Sequence, residues 1–256
     1  MSVPVDTFAL FLLVLLRTGG LFVSAPFFSS AAFPWQGKMG MALFLSFILL
    51  PGTSGQVPPV SALSLPELAV LAVQELMTGL TIGLAMQVLF SAVRFAGELI
   101  SVDMGFSMAT IFDPENGTPF PVLSELLYLF TLMLFLTVNG HHFMVEAVAM
   151  SYGAVPAGSW RVDAAAASSV AALTGKVFAI AVKIAAPLLV SLFLANITLG
   201  ILNKVMPQMN IFSVLFPLKI GIGLIVLAAT VPVVAFVFKK VLSSFEGSVV
   251  DLLRTF

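Results

Sequence analysis

The chain has no cysteine and very little charge. None of its 256 residues is Cys, and only 9% are Asp, Glu, Lys or Arg, against roughly 25% in ordinary soluble domains. Without thiols, the chain cannot form disulfides, iron–sulfur clusters, thiolate zinc sites or cysteine nucleophiles. Its net charge of -1 provides no basic surface for nucleic acid. A GxxxxGK[ST] motif is also absent from the sequence, so the chain carries no Walker-type nucleotide site.

What the chain has in abundance is apolar residues. Hydrophobic side chains make up 60% of the sequence, and the mean hydropathy is +1.13. We therefore predict an all-α integral membrane protein. A membrane-spanning helix needs about 20 residues, and the second of six apolar stretches is short for that length. The six stretches are residues 8–28, 39–50, 67–93, 122–138, 177–202 and 218–238.

The third stretch has a regular polar stripe. Small or polar residues recur every fourth position at Glu75, Gly79, Gly83, Gln87 and Ser91. In a helix this spacing places them on one face, and small residues let two helix backbones approach closely. We expect this face to pack against another helix.

Several charged residues fall inside or beside apolar stretches. A charge in a lipid environment is costly, so such residues face protein or water. We expect them to form ion pairs or packing contacts inside an assembly; the alternative is a proton relay. The residues concerned are Arg17, Glu75, Glu98, Glu125 and Lys183.

A histidine pair raises the question of a metal site. His142 and Glu146 are four residues apart, which places them on one face of a helix. His141 points elsewhere, and a further ligand is missing. We therefore predict hydrogen bonding at a helix end, with no metal and no cofactor.

Two connections are as apolar as the helices they join. Residues 94–121 read RFAGELISVDMGFSMATIFDPENGTPFP, and residues 206–212 read MPQMNIF. Both contain a Met pair followed by Ile-Phe. Met and Phe provide deformable apolar surface, and glycine lets the backbone bend. The first connection is therefore either a plug that seals a passage or an interfacial helix end followed by an ordinary turn.

Two other classes of protein are compatible with such a sequence. A stand-alone secondary transporter would use broken helices at Pro26, Pro187 and Pro232, with Arg17 or Lys183 at a midplane site. An intramembrane enzyme is the weakest alternative, because no recognisable catalytic motif is present.

Several short motifs of the sequence are similar to those of a known protein family. The chain resembles the FliR family of flagellar export-gate proteins and their injectisome counterparts in type III secretion. The resemblance covers nearly the whole chain and lies in RTGG (17–20), APFF (25–28), GE (97–98), FSMA (106–109), DP (113–114), NGHH (139–142), PQMNIF (207–212) and FPLKI (216–220).

This resemblance implies an architecture and a set of partners. Residues 1–158 would form a FliP-like helical half with a plug loop at about residues 94–121. Residues 159–256 would form a FliQ-like hairpin with a C-terminal tail helix. The chain would join FliP and FliQ, contact FlhB and membrane lipid, and pass unfolded flagellar proteins. It would lie in the bacterial inner membrane, within the flagellar basal body, with much of the assembly displaced toward the periplasm.

The resemblance also implies two functional segments. The plug would consist of Met104, Gly105, Phe106, Ser107, Met108, Ala109, Thr110, Ile111, Phe112, Asp113 and Pro114. The tip of the FliQ-like hairpin, near the cytoplasmic entrance, would consist of Met206, Pro207, Gln208, Met209, Asn210, Ile211 and Phe212. Glycines 97, 105 and 117 are candidate hinges for plug movement.

Overall fold

The computed structural model describes residues 5–29, 34–53, 63–106, 121–160, 164–206 and 211–253. Its regular secondary structure is helical throughout these ranges, as predicted. The helices are α1 (Val5–Ser24), α2 (Trp35–Thr53), α3 (Leu65–Met104), α4 (Val122–Thr137), α5 (Gly140–Ala154), α6 (Ala164–Val205) and α7 (Ile211–Leu253).

Four of these helices contain a segment long and apolar enough to cross a membrane. The segments are Asp6–Ser24, Leu65–Met104, Ser168–Val205 and Val214–Ser244. The bent pair formed by α4 and α5 adds a fifth if it counts as one span. The expectation of an all-α membrane protein is therefore confirmed for the described part of the chain.

Helix α3 is longer than its apolar stretch suggested. It runs for 40 residues to Met104, whereas the sequence predicted a loop from about residue 94. The predicted start of the loop at about residue 94 is therefore wrong. Residues 94–104 contain no proline and are mostly compatible with a helix, so the ladder of hydrogen bonds continues. The helix ends only at Gly105, which has a φ of 87°.

The chain divides into two compact units that share its long helices. The first comprises residues 1–89, 135–175 and 242–256. Within it, α1 packs against α2, and the hydroxyls of Thr18 and Ser46 are 2.7 Å apart. Leu21 and Phe22 of α1 are buried in its apolar core. This unit therefore has both an apolar core and internal polar links between helices.

The second unit comprises residues 90–134 and 176–241. Its core includes Phe90, whose ring meets Tyr128 and Phe238 edge to face at centroid distances of 5.8 and 5.9 Å. Gly97 lies in the middle of α3, where a Cβ atom would overlap the backbone of Ser124 in α4. The small size of Gly97 thus permits close helix packing, which argues against its predicted role as a hinge.

The predicted boundary between a FliP-like and a FliQ-like half lies in the connection between α5 and α6. Gly158 in that connection has a φ of 81°, a backbone conformation that favours glycine. A turn therefore occurs where the sequence placed the boundary, while the two-half organisation itself stays a prediction.

Candidate functional site

The plug predicted from the sequence starts at a well-defined helix end. The N–H of Gly105 donates to the carbonyl of Val102 at 3.1 Å, and the N–H of Phe106 donates to the carbonyl of Ser101 at 3.0 Å. With Gly105 in the left-handed region, these two bonds form a Schellman motif. The chain therefore leaves α3 in a fixed direction, and a glycine at position 105 is what permits it.

Met104 is fully buried, with 0% of its surface exposed. Its side chain packs against α7 at Gly223. A Cβ atom built on Gly223 would lie only 2.7 Å from the Met104 sulfur, so this contact requires glycine. The ring of Phe216, also in α7, packs against Gly105 in the same way, with ring atoms 2.8 Å from a Cβ built there. Met104 is thus an anchor for the end of α3 within the chain.

Polar contacts hold the same helix end. The Lys219 ammonium of α7 donates to the backbone carbonyl of Asp103 at 3.1 Å. The side-chain amide of Asn196 in α6 makes a long contact of 3.5 Å with the Asp103 carboxylate. A lysine at a helix C-terminus satisfies an unpaired carbonyl and complements the negative end of the helix dipole. Helices α6 and α7 therefore both fix the end of α3.

A second polar cluster lies in the first unit, around Arg17. Its guanidinium donates to both carboxylate oxygens of Glu75, at 2.6 and 2.9 Å, to the Ser151 hydroxyl at 3.0 Å and to the Val155 carbonyl at 3.1 Å. The ring of Tyr152 lies 3.9 Å from the guanidinium carbon. Arg17 and Glu75 are 0% and 1% exposed. The geometry is that of a fully desolvated bidentate ion pair.

The small residues of the predicted stripe make this ion pair possible. A Cβ atom at Gly79 would overlap the backbone carbonyl of Arg17, and one at Gly83 would overlap the Ser24 side chain. From the other side, a Cβ at Gly20 would lie 2.7 Å from the Leu76 carbonyl oxygen. Helices α1 and α3 therefore touch backbone to backbone, and the contact brings Arg17 to Glu75.

The remaining charged residues predicted to pair occupy more exposed positions. Glu125 lies 3.3 Å from Arg94, and their side chains are 40% and 43% exposed. The Arg94 guanidinium also stacks 3.9 Å from the centre of the Tyr128 ring. Glu98 and Lys183 are exposed in the isolated chain, so their contacts within an assembly stay predictions.

Much of the two predicted segments falls outside the described residues. This applies to residues 107–114 of the plug and to residues 207–210 of the hairpin tip. Met206 is described and exposed, and Ile211 and Phe212 are described only as the start of α7. Among the described residues, no three acidic or histidine side chains come together as a metal site would require.

Sequence reasoning assigned no role to Phe216, Lys219, Gly223 or Asn196. Phe216 and Lys219 belong to the FPLKI motif that carried part of the family resemblance. Lys219 also stands close to the start of an apolar run, which is the same signal that drew attention to Arg17. The signal was therefore present for Lys219, but a contact with residue 103 cannot be read from a single sequence.

Comparisons with known proteins place almost the whole chain in one family. Residues 8–245 match the family described as "Bacterial export proteins, family 1". The chain is 32% identical over 240 residues to the flagellar biosynthetic protein FliR of Escherichia coli K12, covering 93% of this chain and 90% of that protein. It is 33% identical over 247 residues to FliR of Bacillus subtilis 168, with 95% and 94% coverage. For FliR of Aquifex aeolicus the identity is 32% over 209 residues, with 82% and 80% coverage.

Proposed function

The chain belongs to bacterial export proteins, family 1, and from that membership we propose that it is a core subunit of the flagellar protein export gate. It forms, with FliP and FliQ and in contact with FlhB, the channel through which unfolded flagellar proteins cross the inner membrane. The Met-, Phe- and Gly-rich segment that follows α3 closes this channel, and the buried Met104 anchors its start. Much of the assembly lies toward the periplasm.

One observation carries the proposal: the similarity to FliR proteins covers more than nine tenths of the chain. The match to the Bacillus subtilis protein covers 95% of this chain and 94% of that protein, so a single shared domain does not account for it. A protein aligned over almost its whole length with a flagellar biosynthetic protein is expected to perform the same task in the cell.

The surface of the chain supports a role inside an assembly. Large apolar side chains are exposed along α2, α6 and α7, including Phe47 at 70% and Ile225 at 72% of their surface. Extended apolar surfaces of this kind are covered by lipid or by partner helices. Partner subunits of similar apolar character would complete the packing that the isolated chain leaves open.

The chemistry of the plug suits a gate for unfolded chains. A closed gate has to retain ions, yet an open one has to pass polypeptides of any sequence. Thioether and aromatic side chains reshape around different cargo, and an apolar constriction excludes ions by dewetting when it is closed. The chain has no nucleotide motif, so the energy for transport comes from partner proteins or the proton gradient.

Co-purification and complementation together test the proposal. An affinity-tagged copy is expressed in a mutant of a flagellated bacterium from which the fliR gene has been deleted, and motility and secreted flagellar subunits are measured. We expect both to be restored and FliP and FliQ to purify with the tag. A chain that purifies alone and moves a small solute after reconstitution into liposomes would instead be the stand-alone transporter.

A further inference from the structure

Helix α6 has one face that the chain covers and another that it leaves exposed. In the second unit, the covered face consists of apolar side chains that are at most 2% exposed. These are Ala181, Ile184, Ala185, Leu188 and Leu192. The chain itself therefore provides packing for only one side of this helix.

The uncovered face of α6 combines apolar and small residues with one lysine. It consists of residues at three- and four-residue intervals, the spacing that aligns side chains along a helix. Val190 and Phe193 are 59% and 62% exposed, and Ala179 and Lys183 are exposed as well. We define the outer α6 face as Ala179, Lys183, Ala186, Val190 and Phe193.

Lys183 is the one charged member of the outer α6 face. It lies inside Ser168–Val205, a segment long and apolar enough to cross a membrane. In the described part of the chain, no carboxylate pairs with its ammonium. A charge on the apolar surface of such a segment is costly unless it meets water or an opposite charge. Whatever covers this face therefore has to compensate a positive charge.

The contact between α1 and α3 shows how this chain buries a charge between two apolar helices. Glu75 is followed four residues later by Gly79, where a Cβ atom would overlap the backbone of α1. Because the two helices approach this closely, Arg17 of α1 donates to Glu75 at 2.6 Å. A charge with a small residue one turn away thus marks a place where an oppositely charged helix packs.

Lys183 has comparable neighbours on α6. Ala179 lies four residues before it and Ala186 three residues after it, so a small residue occupies the adjacent turn on each side. Small side chains let a second helix approach closely, which brings a carboxylate on that helix within reach of the ammonium. A lysine that extends to lipid headgroups gains nothing from small neighbours, because its side chain points away from them along the helix.

We propose that the outer α6 face is a docking surface for an apolar helix of a partner subunit, and that this helix carries an Asp or Glu opposite Lys183. The proposal rests on the proposed function, because it requires an assembly, and it deepens that function by naming the chemistry of one contact. The partner carboxylate accepts hydrogen bonds from the Lys183 ammonium. Small or aliphatic residues of the partner pack against Ala179, Ala186 and Val190.

A hydrophobic carbodiimide tests this contact in membranes that contain the assembled complex. The reagent activates the carboxylate, the Lys183 amine attacks it, and an amide forms while the carbodiimide takes up the lost water as a urea. We expect peptide mass spectrometry to find Lys183 joined to an Asp or Glu of another subunit. Lys183→Arg keeps the positive charge but has no amine that couples, so this variant should retain the complex and lose the cross-link.

Charge reversal is an independent test of the same contact. Lys183→Glu would place two carboxylates together. Breaking one side of a buried ion pair weakens association by about a hundredfold or more, so we expect affinity purification to recover little partner per tagged chain. Lys204→Glu is the matched control, because Lys204 is an exposed lysine in the last turn of the same helix. That variant should recover as much partner as the natural chain.

The outcomes separate the docking surface from the proposed function. A cross-link from Lys183 to a lipid headgroup or to a carboxylate of this chain overturns the docking proposal, as does the absence of any cross-link at Lys183. Full recovery of partner with Lys183→Glu overturns it as well. In each of these cases the natural chain still purifies with its partner subunits. If the natural chain purifies with no export-gate subunit, it is the proposed function that fails.

Discussion

The buried ion pair between Arg17 and Glu75 leads to the sharpest prediction about stability. Replacing Arg17 with Met removes a guanidinium that is 0% exposed and leaves the Glu75 carboxylate, which is 1% exposed, without its partner. Replacing Glu75 with Gln leaves the buried Arg17 guanidinium without a carboxylate partner. Breaking one side of such a pair costs about 3 to 5 kcal/mol. Both single variants should therefore be strongly destabilised.

The double variant Arg17→Met/Glu75→Met should be less affected than either single variant. Removing both charges also removes the need to compensate them, and an apolar pair of similar volume is often close to neutral. The Val155 carbonyl still loses the donor that Arg17 supplied, whereas the Ser151 hydroxyl keeps its hydrogen bond to the Val148 carbonyl. An unsatisfied buried group costs about 1 to 3 kcal/mol, which sets the expected loss for the double variant.

Thermal aggregation of the detergent-solubilised complex measures these differences. For a chain of this size, 1 kcal/mol corresponds to about 2 to 4 °C. The single variants should thus aggregate about 6 to 20 °C lower than the natural chain, and the double variant should recover a large part of that loss. The half-exposed pair of Arg94 and Glu125 is the internal control: Glu125→Gln should cost less than about 1 kcal/mol.

Two stability results would contradict the proposed role of the buried Arg17–Glu75 ion pair. If the double variant were as unstable as the sum of the single variants, Arg17 and Glu75 would contribute independently and their charge compensation would be irrelevant. If Glu125→Gln were as damaging as Glu75→Gln, burial would not be the property that sets the cost.

Three further predictions concern the glycines and the plug. Gly79→Ala should lower the aggregation temperature by separating α1 from α3, whereas Gly19→Ala, with no neighbour within 4 Å, should not. Gly97→Ala should be destabilising by about 1 to 3 kcal/mol through overlap with α4, whereas Gly175→Ala, equally free of neighbours, should be tolerated. Deleting residues 105–110 should leave the complex assembled but make membranes leak small ions without cargo; unchanged conductance would mean that the stretch is only structural.

The sequence predicted properties that depend on one segment of the chain. It predicted less well the contacts that depend on how two helices pack. Apolar composition and run length predicted helices and membrane character, because both follow from the residues of one segment. The charge of Arg17 inside an apolar run indicated a buried polar contact. Its specific pairing with Glu75, 58 residues away, depends on how α1 and α3 pack and could not be read from either segment alone.

The same limit explains what was missed at the end of α3. The sequence attracted attention to Met104 and Gly105 because they are apolar and flexible residues in a connection. That Met104 is anchored within the chain depends on Gly223, a residue that on its own resembles any glycine in a membrane helix. The predicted end of α3 near residue 93 is too early, because the Gly-containing residues 94–104 continue the helix and close packing against Ser124 explains Gly97.

The polar contacts of α3 lie at three separate positions along this helix. Glu75 contacts α1, Arg94 contacts Glu125 of α4, and the Asp103 carbonyl contacts α7. Each of these directional contacts restricts sliding of α3 along the helix axis. Apolar packing alone restricts such sliding less. A plug of methionine and phenylalanine, as proposed, cannot define its own position, because the softness that lets it fit any cargo also lets it slide. Its position has to come from a helix whose register is fixed by directional polar contacts, and α3 has these before the segment begins.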